Sequence, residues 1–155
     1  MTFRATLLPT VVVGCFGLLA LLVIAAAIFA RVYKRLSITR FRNQYRGKCL
    51  LVCGRRHGWY DFVINNVAPM LPADCLVVWS TTSSRPILIA LRHLGLNEPK
   101  PLLVYVGNRR VAAKSLHAAL LPLRTPAARN ESIQQKVSIL VADAFGEIKQ
   151  IADHG

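Results

Sequence analysis

At 155 residues the chain has room for one modest domain and an appendage, which excludes a second large domain. Its 20 Lys and Arg against 7 Asp and Glu give a formal net charge of +13, which points to an anionic partner: nucleic acid, an anionic membrane surface or a phosphorylated ligand. The apolar fraction, 54%, exceeds the roughly 45–50% of soluble domains.

The apolar excess begins at the N-terminus. Residues 1–6 form a short segment carrying Arg4. The stretch from Leu7 to Ala30 then runs 24 residues without a charge. About 20 apolar residues cross the hydrocarbon core as a helix, so 7–30 reads as a transmembrane helix. Pro9 falls near its start, where proline is tolerated. A cleaved signal peptide fits less well, because such apolar cores run about 7–15 residues and the positive charge here follows the run instead of preceding it.

Orientation follows from the flanks. The basic juxtamembrane segment, 31–47, opens a series formed by Arg31, Lys34, Arg35, Arg40, Arg42, Arg46 and Lys48, with no acidic residue before Asp61. Positive flanks stay in the cytoplasm, which places residues 1–6 outside and the rest of the chain inside a cell membrane. Arg31, Lys34, Arg35, Arg40 and Arg42 are the expected contacts to the lipid surface. Leu36, Ile38 and Phe41 make no clean helical stripe, so no full amphipathic helix is assigned to this segment.

Residues 48–155 read as a cytoplasmic α/β domain. Lys48–Cys53 is a short apolar run ended by Gly54, the signature of a buried strand. Trp59, Phe62, Val63, Val67 and Met70 recur at helical spacing, predicting a helix over 59–68 closed by Pro69 and Pro72. Cys75–Trp79 is a second strand. A helix over 85–94 follows, with Ser84 as N-cap and Gly95 at the C-cap position. Leu102–Val106 is a third strand, ended by Gly107. The alanine- and leucine-rich stretch 109–121 predicts a helix and 121–130 a loop. The last helix has the clearest periodicity, with Ile133, Val137, Leu140, Val141, Ala144, Ile148 and Ile151 on one stripe and a Ser132–Gln135 capping box. The stripe suits packing on a sheet; the alternative is a protein partner docking through 131–153.

Three alternating strands and helices predict a small, three-layer, Rossmann-like α/β domain with a mostly parallel sheet and right-handed crossovers. The near-continuous apolar strands agree, because parallel strands are buried on both faces. Ligands of such sheets bind outside the carboxyl ends of the strands. After strand one comes Gly54-Arg55-Arg56-His57-Gly58. After strand two comes Ser80-Thr81-Thr82-Ser83-Ser84-Arg85, and after strand three Gly107-Asn108-Arg109-Arg110. Parallel strands would gather these on one edge. The candidate ligand residues are therefore Arg55, Arg56, His57, Gly58, Ser80, Ser84, Arg85, Asn108, Arg109 and Arg110. Arginine and helix N-termini both suit phosphate. The loops match neither a dinucleotide-binding fingerprint nor a P-loop.

For catalysis, His57 is the candidate general base and Asp61, one turn into the first helix, its orienting partner. No further catalytic motif is present, and cofactor and reaction stay unassigned. No Cys/His spacing fits a zinc site. Cys49 and Cys53 would lie about 13 Å apart along a strand, too far for a disulfide, and Cys15 lies in the apolar run. Nucleic acid is disfavoured, since topology accounts for seven of the basic residues and no recognition motif appears. The resulting expectation is a membrane-anchored domain binding a nucleotide, a nucleotide-sugar or an anionic head group. The competing reading is a non-catalytic assembly subunit of a membrane complex. By fold analogy the sheet also looks like the first half of a two-domain glycosyl- or glycerophosphate-transferase, without the second half.

Overall fold

A computed structural model describes residues 7–54, 59–79, 85–96, 100–124 and 132–154, with the side chains of 7–16, Arg85 and Ser132 left aside. The chain divides into two compact units, Met1–Ser37 and Ile38–Gly155. Helix α1 runs Leu7–Tyr45. In the first unit its residues from Gly17 to Leu36 are exposed throughout, including Phe29 at 72% and Leu21 at 65%. The helix is long and apolar enough to cross a membrane.

The second unit is a mixed α/β domain. Its elements are the last two turns of α1, then β1 (Cys49–Cys53), α2 (Trp59–Phe62), β2 (Leu76–Trp79), α3 (Arg85–His93), β3 (Leu102–Val106), β4 (Val111–Ser115), α4 (His117–Leu120) and α5 (Ser132–His154). After α2 the chain continues through a π turn, Val63–Val67, and a 3-10 turn, Ala68–Met70. A π turn displaces the usual i−4 bonding. Here the Asn66 side chain donates to the Phe62 carbonyl at 3.1 Å, returning a partner to a backbone oxygen.

The sheet has four strands in the order β2-β1-β3-β4. β1 pairs parallel with β2, with Leu50 opposite Leu76 and Cys53 opposite Trp79. β3 runs antiparallel to β1, placing Leu102 against Val52 and Tyr105 against Cys49. β4 turns back along β3, with Leu102 opposite Ser115 and Val106 opposite Val111. The mostly parallel sheet expected from the sequence is thus corrected: one of its three pairings is parallel. An apolar run reports burial on both faces, and a covered antiparallel strand carries the same run as a parallel one.

A second correction concerns 109–121. Its first half is strand β4, formed by Val-Ala-Ala-Lys-Ser, and only His117–Leu120 is helical. Alanine favours helix, but the pairing with β3 overrides the local preference. The hairpin is closed by a hydrogen bond from Gly107 N to Arg110 O at 3.0 Å.

Alternation along β1 sends Cys49, Leu51 and Cys53 to one face and Leu50 and Val52 to the other; all five are fully buried. The first face is covered by Trp59, Val63 and Val67 and by the α5 stripe of Ile133, Val137, Val141, Ala144, Ile148 and Ala152. The second is covered by Ala90 and Leu91 of α3 and by Phe41 and Tyr45 of α1. The predicted stripe on α5 therefore packs on the sheet, while Ile151 is exposed at 45% and Leu140 is half-buried. The segment 31–47, to which the sequence assigns no full amphipathic helix, is helical to Tyr45, and Phe41 and Tyr45 one turn apart are its core contacts.

Two turns rely on left-handed glycine. Gly47 has φ 74° just after α1, and Gly95 has φ 73° after α3. At Gly95 the helix closes in a Schellman motif, with Gly95 N bonding Arg92 O at 3.0 Å and Leu96 N bonding Leu91 O at 2.8 Å. The predicted C-cap is thereby realised.

Gly107 matters for space. A Cβ placed there would lie 2.7 Å from both the Cβ and the carbonyl oxygen of Ala152, so the end of α5 sits directly on the hairpin. Gly107→Ala should cost about 1–3 kcal/mol by forcing the helix and the hairpin apart. A urea titration of the full chain in detergent checks this; an unchanged midpoint would mean that α5 does not press on the hairpin.

Candidate functional site

The antiparallel β3 decides where the predicted loops go. Cys53 and Trp79 are register neighbours at the carboxyl ends of β1 and β2, so the chains leading into 54–58 and 80–84 leave the sheet side by side. Gly107-Asn108-Arg109-Arg110 lies at the opposite end, next to the start of β1: Val106 N bonds Lys48 O at 3.1 Å and Gly47 N bonds Val106 O at 2.7 Å. The expectation that three loops share one edge is corrected. Asn108, Arg109 and Arg110 are separated from the carboxyl ends of β1 and β2 by the length of the sheet.

Arg55, Arg56, His57, Gly58, Ser80 and Ser84 lie outside the described residues. Arg85 is the first residue of α3. Asp61 is exposed on α2.

The reversal brings other residues to the β1–β2 carboxyl edge. The start of β3 and the end of β4 arrive there, joined by a hydrogen bond from Leu116 N to Pro101 O at 2.9 Å. α4 follows immediately, so His117 reaches Trp59, with ring centroids 5.4 Å apart at 64°. A 3-10 turn, Pro122–Arg124, then places the Arg124 guanidinium 5.0 Å from the centre of the Trp59 ring, within cation–π range. Phe62 meets the same indole edge-on at 6.0 Å. Trp59 itself is buried, His117 half-buried and Arg124 exposed. The indole therefore holds an imidazole and a guanidinium directly beyond Gly54. Neither His117 nor Arg124 is among the site residues expected from the sequence.

The remaining lipid-surface candidates differ among themselves. Arg31, Lys34, Arg35 and Arg40 are exposed on α1. Arg42 is spent inside the domain: its Nη2 donates to the carbonyl oxygens of Asn108, at 3.2 Å, and of Arg109. A groove of about 430 Å³ between β4 and α5, lined by Leu116, Ile139 and Leu140 with Lys114, Lys136 and Asp143 at its polar positions, contains none of the predicted site residues. Lys114 is ion-paired with Glu147 beside it. Among the described residues, no group of three or more His, Cys, Asp and Glu side chains could hold a metal ion.

The thiols form an unforeseen arrangement. Cys49 and Cys75 precede the paired residues Leu50 and Leu76, and their side chains hydrogen-bond across β1 and β2. The bond from Cys49 lowers the pKa of Cys75, while donating it and being buried push Cys49 far up. Burial alone raises Cys53 to about 11. No family model matches the chain, nor does any curated protein or solved structure.

These thiols should differ in reactivity. Alkylation requires the thiolate, so a brief iodoacetamide pulse at pH 8 should label Cys75 first. Cys53 should react roughly 100-fold more slowly than an unshifted thiol and gain rate only as pH rises towards about 11. Cys49→Ala should slow Cys75 by removing its donor. Peptide mass spectrometry reads all three sites, and equal rates would contradict the cross-strand bond.

Proposed function

We propose that the chain is a single-pass membrane protein, with its amino terminus outside, whose cytoplasmic α/β domain binds a nucleotide or nucleotide-sugar at the carboxyl edge of β1 and β2. The observation that carries this reading is the Trp59 ring bearing His117 and Arg124 at the edge where the two parallel strands end. Trp59 is itself buried; its cation–π contact positions the exposed Arg124 guanidinium as a phosphate partner beside His117. In the sequence, the segment after β1 carries Arg55, Arg56 and His57 and the segment after β2 carries Ser80, Ser84 and Arg85, with no carboxylate in either. The basic series after the apolar run supports the orientation. In this reading Arg124 takes the place that Arg109 and Arg110 hold in the parallel-sheet expectation.

Thermal unfolding of the detergent-solubilised full chain tests it, using uridine, adenosine and guanosine diphosphates and their sugar conjugates. A ligand at 100 times its Kd stabilises by about 2.7 kcal/mol, a shift of several degrees. Arg124→Ala and Arg55→Ala should reduce the ligand-induced shift, whereas the Arg109→Ala/Arg110→Ala pair should leave it intact. No shift of the wild-type chain with any of these compounds would overturn the ligand reading. Loss of the shift in the hairpin pair alone would move the site to the other end of the sheet.

A further inference from the structure

Cys49 and Cys75 meet at the amino ends of β1 and β2, the opposite ends from the proposed ligand edge. Each directly precedes one member of the Leu50–Leu76 register pair. Neighbouring strands lie about 4.8 Å apart, inside the roughly 4.4–6.8 Å Cα separation that a disulfide spans. Both side chains pack in the same core cluster, so they stand on one face of the sheet. Their thiols already hydrogen-bond to each other. Cys53 lies about 13 Å along β1 from Cys49, opposite Trp79, and is out of reach of both.

We propose that Cys49 and Cys75 form a dithiol oxidised by peroxide, whose disulfide ties β1 to the start of β2. Cys75 is half-buried and Cys49 fully buried, so a small oxidant meets Cys75 first. Cys49 donates to the Cys75 sulfur and favours its thiolate, the nucleophilic form. The Cys75 thiolate attacks one peroxide oxygen; an S–O bond forms, the O–O bond breaks and hydroxide leaves. The Cys49 sulfur then attacks the Cys75 sulfenic acid. The S–S bond forms, the S–O bond breaks, and the hydroxyl leaves with the Cys49 proton as water. The hydroxide takes up the proton that Cys75 lost on ionisation. Two thiols thus give up two electrons, and one peroxide becomes two waters. The backbone can accommodate the bond, because Cys75 lies just before β2 in a turn where its N–H bonds Pro72 O at 2.8 Å. Small adjustments fall on that turn and leave the ladder intact. The bond closes a loop from residue 49 to residue 75, which contains α2 and the π turn and supplies Trp59. Oxidation therefore restrains that segment and stabilises the fold.

The proposal uses neither the membrane nor the nucleotide reading. The detergent-solubilised full chain is treated with a small excess of hydrogen peroxide, blocked with N-ethylmaleimide and digested without reductant. Mass spectrometry should find the linked Cys49–Cys75 peptide as the main product, and dithiothreitol should remove it. The Tm should rise by several degrees on oxidation and fall back on reduction. Cys53→Ala should form the link at the wild-type rate. Cys49→Ala should instead accumulate sulfenic acid at Cys75, trapped by dimedone. If that variant does not fold, the wild-type peptide decides by itself. Cys75 oxidised to sulfinic acid without the link, a link through Cys53, or a Cys75 left unmodified would each overturn the proposal. Oxidised glutathione, a bulkier oxidant, should give the link more slowly than peroxide. A stable mixed disulfide on Cys75 with Cys49 still reduced would overturn the pairing, and a link without a rise in Tm would overturn the restraint.

Discussion

The domain is organised by the total exclusion of β1 from water. None of its five side chains reaches solvent, so both faces of the strand need a cover and both edges need a partner. A strand of five apolar residues cannot satisfy those demands locally. It draws in α5 and the π-containing segment on one side, and α3 and the end of α1 on the other. β2 and β3 then saturate its two hydrogen-bonding edges, one in each direction. Everything placed at the ends of the sheet is placed by that choice of directions.

The direction of β3 is the point at which chemistry and topology meet. Had it run with β1, five arginines would have shared an edge. Because it runs against β1, the basic residues are distributed between two ends about a strand length apart. At one end Arg124 and His117 are associated with the Trp59 indole. At the other the charge is mounted on a hairpin and a helix end without accessible rings.

Much of the fold was legible because burial leaves a pattern. Strands β1, β2 and β3 announced themselves as short apolar runs, and α5 as a seven-residue stripe with a cap. Gly95 marked the end of α3 through a conformation that other residues seldom adopt. What was not legible was relational. The run Leu102–Val106 encodes two buried faces and says nothing of direction. Val111–Ser115 lacks branched residues after its first position and is a strand because β3 is beside it. His117 and Arg124 reach Trp59 through a hairpin and two short turns, so no spacing in the sequence links them. Cys49 and Cys75 likewise become neighbours only when β1 and β2 register.

The final turns of α1 belong to the hydrophobic core: Phe41 and Tyr45 close the face formed by Leu50, Val52 and Val104. The boundary between anchor and domain is therefore not where hydropathy ends. A soluble fragment beginning at Lys48 would strip one wall from the core and leave those strand residues bare, whereas one beginning at Ile38 keeps it.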